Sequence, residues 1–237
     1  MTPVTGLLAD LADLVLPVDC AGCGARARSL RLGFCSSCVT ALAALRPGPV
    51  RPDPAPPGLP PCVALGGYDG VLREALLSYK ERGRHRLARP LGRLLADVVA
   101  EAVGTRPALL VPVPATSRAA RQRHGDHLDR LTRHAVARLR AAGCPAAVAQ
   151  PLRALPRPDS ATLDRVGRAV AAAQAFQLRP ARVAALVRLA RGRSVVLVDD
   201  IVTTGATLAA VAHLLGTAGV VVRAAGVLAA TRRRHTP

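Results

Sequence analysis

Two consecutive carboxylates, Asp199 and Asp200, stand five residues before the centre of a loop of hydroxyls and small residues, Thr203, Thr204, Gly205, Ala206 and Thr207. Adjacent carboxylates can hold hydroxyl groups or a divalent cation. The loop offers backbone N–H groups and hydroxyls at the start of a helix, and Gly205 lets the chain approach an anion closely, so it reads as a phosphate cradle. Two acids beside such a cradle repel a bare anion. The ligand must therefore also carry hydroxyls or a cation, and a sugar phosphate with Mg²⁺ satisfies both halves. A second set of chemical groups lies near the start of the chain: Cys20-x-x-Cys23 and Cys35-x-x-Cys38, separated by eleven residues and flanked by Gly22, Gly24 and Gly33. Two such pairs can place four thiolates around one tetrahedral Zn²⁺, and the glycines permit the tight turns that aim N–H groups at sulfur. Four protein ligands leave no open position, so this metal would fold its module and not catalyse.

The acids need an element that carries them to a ligand edge. Val195–Val198 is apolar without alternation, as in a parallel strand covered on both faces, and the carboxyl end of such a strand is where ligands bind in α/β sheets. The acids are expected just past that end. A nucleoside-triphosphatase reading fails because no G-x-x-x-x-G-K-[ST] is present and Lys80, the only lysine, lies in S-Y-K-E. A phospho-receiver fold would require several more strands than Ile201–Pro237 can supply. A thiol-exchange role for the cysteines is disfavoured, because two pairs exceed what that chemistry needs.

Along the chain, Leu7, Leu8, Leu11, Leu14 and Val15 recur at helical spacing and Pro17 stops the pattern. The cysteine module follows, closed by an expected helix over Val39–Leu45. From Arg46 to Pro61 proline dominates, predicting a polyproline spacer with neither helix nor sheet between two domains. The second domain is expected to open with a strand at Cys62–Gly67 and helices over Val71–Lys80 and Leu87–Val103. Between those helices Lys80, Arg82, Arg84, His85 and Arg86 form either a solvated loop or an anion contact. Ala108–Val113 reads as a buried strand ending in P-V-P, followed by a basic, small-residue turn (Thr116, Ser117, Arg118, Arg121, Arg123 and His124) suited to a pyrophosphate. Leu128, Leu131, Ala135 and Leu139 give the next helix a buried face, with His127 and His134 on its surface. Pro151–Ala173, which carries Arg153, Arg157, Arg165 and Arg168, is either a mobile lid ending at Phe176 or a surface loop. Leu208, Val211 and Leu215 mark a helix after the central loop, and Val220–Ala230 a last strand. Strands alternating with helices predict a doubly wound α/β domain.

The chain has 237 residues and a formal charge of +18 at pH 7, nearly all of it from arginine. Such a charge attracts polyanions in a salt-dependent way. Phe34, Phe176, Tyr68 and Tyr79 are the only aromatic residues, which argues against an aromatic base-stacking platform. No stretch approaches the roughly 18 apolar residues of a membrane span. Asp10 and Asp13 interrupt the first apolar segment, so it does not read as a signal peptide, and a cytoplasmic location is expected.

The run Val195–Leu208 resembles the phosphoribosyl pyrophosphate (PRPP) motif of type I phosphoribosyltransferases, in which apolar residues lead into two acids and a T-T-G-x-T loop. With the cysteine pairs ahead of it and P-V-P between, most of the chain resembles the ComF/GntX branch of that superfamily. The resemblance implies that Asp199 and Asp200 hold the ribose hydroxyls and that Thr203–Thr207 hold the 5′-phosphate. The PRPP site would then span Val198, Asp199, Asp200, Ile201, Val202, Thr203, Thr204, Gly205, Ala206 and Thr207. It also implies that Lys80 and Arg123 face the pyrophosphate and that Mg²⁺ accompanies PRPP. The expected organisation is a helix and zinc ribbon over residues 1–45, a linker over 46–61 and a phosphoribosyltransferase-like domain over 62–237. This sequence departs from the family pattern at Arg123-His124-Gly125-Asp126, where the glycine is displaced, and at Ala171, where the family has asparagine three residues after an arginine matched by Arg168. The expected activity is transfer of a phosphoribosyl group to an unknown acceptor. Relatives associated with natural competence suggest one alternative, a DNA-uptake accessory that binds single-stranded DNA or a helicase or other competence partner; another is a PRPP-responsive regulator that binds without catalysis.

Overall fold

The computed structural model describes residues 19–26, 29–115, 126–155 and 175–231. The expected helix over Leu7–Val15, the turn containing Arg123, most of the lid segment including Arg168, and the arginines of the last residues lie outside that set. The chain divides into two compact units, Met1–Leu45 with Asp69–Leu87, and Arg46–Tyr68 with Ala88–Pro237.

In the first unit the cysteine knuckles lead into helix α1 (Ser36–Ala44), three residues earlier than the apolar pattern suggested. Helix α2 (Gly70–Lys80) buries Leu72, Ala75, Leu76 and Tyr79, followed by a 3-10 turn at His85–Leu87. The knuckle and α2 are packed tightly together: a side chain on Gly22 would lie 2.7 Å from Val71 Cγ1 and 2.9 Å from Cys38 Sγ. The buried Ser78 hydroxyl donates to the Ala21 carbonyl at 3.1 Å, so the loop's backbone acceptor is satisfied by the helix.

The second unit is a mixed α/β fold around a mostly parallel six-stranded sheet. Its strands are β1 (Gly48–Val50), β2 (Cys62–Gly67), β3 (Ala108–Pro112), β4 (Ala146–Val148), β7 (Ser194–Val202) and β8 (Val222–Ala230), in the order β1-β2-β8-β7-β3-β4. Only the β1–β2 pair is antiparallel. The remaining two strands, β5 (Leu152–Ala154) and β6 (Phe176–Leu178), form a separate antiparallel pair. All five residues of β3 and Val195–Val198 of β7 are buried, as the unbroken apolar runs demand of a sheet covered on both faces. Each of the Leu and Val side chains among them contributes roughly 1.5–3 kcal/mol on burial.

Helix α3 (Ala88–Val103) buries Leu91, Leu95, Val98 and Val99, a helical stripe that meets the sheet. Helix α4 (His127–Ala141) packs beside it. The approach is close because Gly92 has no side chain: a Cβ there would sit 2.5 Å from His134 Cβ and 2.8 Å from the Leu131 carbonyl oxygen. Helices α5 (Pro180–Ala190) and α6 (Ala206–Thr217) precede and follow β7.

Three expectations change. Gly48–Val50 is a strand, not part of an irregular spacer, because β2 offers it an antiparallel partner with Val50 opposite Cys62. Leu152–Ala154, within the supposed lid, is also a strand, paired with Phe176–Leu178. And β7 runs on to Val202, because the ladder with β8 continues through Asp199 opposite Val227 and Ile201 opposite Ala229. Among the described residues, no helix is long and apolar enough to cross a membrane.

Candidate functional site

The strand order itself locates a crevice. From β3 the chain passes through α4 to β4 on one side, whereas from β7 it passes through α6 to β8 on the other. Connections leaving in opposite directions open a gap beyond the carboxyl ends of β3 and β7, the usual ligand position in such sheets. The end of β3 is tied into β7, since the Val113 N–H donates to the Val198 carbonyl at 2.9 Å. Asp199 follows at once, and β3 ends in P-V-P.

Successive residues of a strand face opposite sides of the sheet. Asp199 is half-buried and Asp200 is buried, with only 5% of its surface exposed. The Asp200 N–H donates to Asp199 Oδ1 at 2.8 Å. A buried carboxylate requires a hydrogen-bonding partner, and here His127 supplies one: its Nε2 lies 3.1 Å from Asp200 Oδ2. His127 was expected at the surface. It is instead 8% exposed, because it is the first residue of α4 and its ring meets Asp200 of β7. Nothing in the local pattern marks this contact, which spans 73 positions of sequence. Asp126 caps the same helix, its Oδ1 accepting from the N–H groups of Leu128 at 3.0 Å and Asp129 at 3.3 Å. Its other oxygen takes the N–H of Ala115 at 3.4 Å, so the residue that follows P-V-P is held against the start of α4.

The Thr/Gly loop follows β7. Thr203 and Thr204 are exposed, and Gly205 caps α6 in the left-handed conformation, φ +78°. The Ala206 N–H reaches Thr204 Oγ1 at 3.4 Å. The helix behind the loop is anchored by buried Leu208, Ala209, Val211 and Leu215, so its N-terminal N–H groups are presented at a fixed place. Gly205 is required twice over. A side chain would be strained at that φ, and it would also lie 2.9 Å from Leu59 Cδ1 and 3.4 Å from Pro52 Cγ. The proline-rich run therefore lies against the loop, inside the same unit.

Lys80 is the last residue of α2 in the first unit, where its charge complements the helix C-terminus.

The four cysteines Cys20, Cys23, Cys35 and Cys38 are brought together, with all four sulfurs within 4.8 Å of one another. All are free thiols. A tetrahedral ion with Zn–S bonds of about 2.3 Å needs sulfurs roughly 3.8 Å apart, and Cys23 Sγ and Cys35 Sγ are 3.8 Å apart. The N–H groups of Gly22 and Cys35 approach Cys20 Sγ at 3.4 and 3.2 Å, the interaction that stabilises a metal-bound thiolate. Accordingly, although burial alone would raise it, the Cys20 thiol is lowered by the backbone N–H groups of Cys35, Gly22 and Cys23. The Ser37 hydroxyl brings Cys35 down to about 6, while burial pushes Cys38 up. Four such donors can bind a metal such as zinc.

A family model described as the phosphoribosyl transferase domain matches residues 160–237, which hold β7, the acid pair, the Thr/Gly loop, α6 and β8. This match supports the type I phosphoribosyltransferase superfamily at a general level. No curated protein matches the chain.

Proposed function

We propose that the chain binds Mg·PRPP in the crevice beyond β3 and β7 and transfers its phosphoribosyl group to an acceptor, as a ComF-type phosphoribosyltransferase of the cytoplasm. The observation that carries this reading is a juxtaposition. The acid pair and a left-handed glycine loop on a helix N-terminus follow each other at one sheet edge, inside the stretch matched by the phosphoribosyl transferase domain. Thr203–Thr207 hold the 5′-phosphate through backbone N–H groups and hydroxyls, and Val198, Ile201 and Val202 carry the acids and loop into position. Asp199 and Asp200 accept from the ribose hydroxyls, and their charge favours the oxocarbenium-like ring that develops as the C1–pyrophosphate bond breaks. The acceptor's lone pair then forms the new bond to C1, and pyrophosphate leaves with the electrons of the old one. The family resemblance assigns the balancing of its charge to Lys80 and Arg123. Mg²⁺, when bound, supplies further neutralisation of the pyrophosphate. The protein's own part is positioning and charge stabilisation, with no covalent intermediate. Cys20, Cys23, Cys35 and Cys38 hold a structural Zn²⁺ in the first unit.

Substitution of both acids, Asp199→Asn with Asp200→Asn, should abolish Mg·PRPP binding in a titration while the thermal transition is kept. Unchanged affinity would remove the ribose assignment.

A second reading is favoured by the formal charge of +18: an accessory for DNA uptake that binds single-stranded DNA or a competence partner. Neutralising phosphates releases counterions, so affinity for an oligonucleotide should fall steeply with salt. A flat salt dependence would exclude this reading.

A further inference from the structure

We infer that His127 is the positioning residue of the acid pair, holding its buried member, Asp200. This inference rests on the phosphoribosyl reading of the crevice and specifies how its carboxylates are held. Asp200 and His127 are 5% and 8% exposed, and the imidazole Nε2 stands 3.1 Å from Asp200 Oδ2. An ionised carboxylate only accepts hydrogen bonds, so against ionised Asp200 the Nε2 atom is the donor. That donation settles which way the Asp200 side chain points, toward the start of α4 and away from the opposite face of the sheet. The backbone there is held by the ladder with β8, with Asp199 opposite Val227 and Ile201 opposite Ala229, and the Asp200 N–H donates to Asp199 Oδ1 at 2.8 Å.

The start of α4 is itself anchored to both strands that line the crevice. Asp126 caps the helix and takes the N–H of Ala115, just beyond the end of β3, while the adjacent His127 reaches β7. Residues 126 and 127 therefore tie the start of α4 to the segment that follows β3 and to β7. A His whose only duty was to fill space would be replaceable by an apolar side chain of similar size. A positioning His is replaceable only by another side chain that can donate at the same place.

The test is calorimetric titration of Mg·PRPP into the full chain and into His127→Leu and His127→Gln variants, with thermal melts to establish that each is folded. Loss of a buried hydrogen bond to a charged group predicts that His127→Leu binds about tenfold to a hundredfold more weakly. His127→Gln, which keeps an N–H donor, is expected within about threefold of the unsubstituted chain. Equal affinity of a folded His127→Leu variant and the unsubstituted chain would overturn the assignment and leave the phosphoribosyl reading standing. Should His127→Leu not fold, His127→Met against His127→Gln carries the same comparison, and equal affinities overturn it. Absence of Mg²⁺-dependent binding by the unsubstituted chain would overturn the phosphoribosyl reading and this assignment together.

Discussion

Gly205 concentrates the local demands of the candidate site. Its left-handed φ of +78° costs an L-residue about 1–2 kcal/mol, and the space a methyl group would need is held by Leu59 at 2.9 Å. Gly205→Ala should therefore destabilise the second unit by roughly 1–3 kcal/mol, mostly backbone strain, because the terminal methyls of Leu59 can yield part of the space. Because the steric part comes from one neighbour, adding Leu59→Ala should recover part of that loss, a positive coupling that a double-mutant cycle of denaturant unfolding would measure. Strict additivity of the two changes would show that Leu59 does not press on the loop. The acids and the Thr/Gly loop were legible in the sequence because they are contiguous and each residue type has a local use. His127 was not, since its partner lies 73 positions away and an apolar-periodicity argument assigns it only to the margin of a helix face.

At the scale of elements, the buried strands were readable from their unbroken apolar runs, and β2, β3, α3 and α6 fall close to where spacing placed them. Elements that exist only through a partner were not. Gly48–Val50 has two small or cyclic residues in three and forms a strand because β2 presents an open edge, and Leu152–Ala154 depends in the same way on Phe176–Leu178. The knuckle and α2 carry a similar dependence: Gly22 touches Val71, Ser78 bonds Ala21, and the Arg84 guanidinium donates to the Asp19 carbonyl at 2.7 Å. If a structural Zn²⁺ organises the knuckles, its removal should loosen more than the cysteine segment. Chelation is expected to release about one zinc per chain and to raise amide hydrogen exchange in both α1 and α2, with β7 and β8 unchanged. Zero zinc by elemental analysis, or exchange unaffected by chelation, would contradict this.

For the whole molecule, the doubly wound arrangement was legible from alternating strands and helices, which place the acids at a sheet edge. Its expression in detail, with the crevice between β3 and β7, depends on which strands neighbour each other, and pairing of that range leaves no mark in local composition. The formal charge of +18 should raise the local concentration of any anionic ligand, so affinity for PRPP will weaken with ionic strength even if every contact is kept. Specificity must then be sought in a comparison at fixed salt. The most direct measurement is isothermal titration of PRPP with and without Mg²⁺, with ribose 5-phosphate as the control ligand under the same conditions. The proposed site predicts Mg²⁺-dependent binding of PRPP that is tighter than binding of ribose 5-phosphate. Heats that are absent, or identical for the two ligands and indifferent to Mg²⁺, would contradict it.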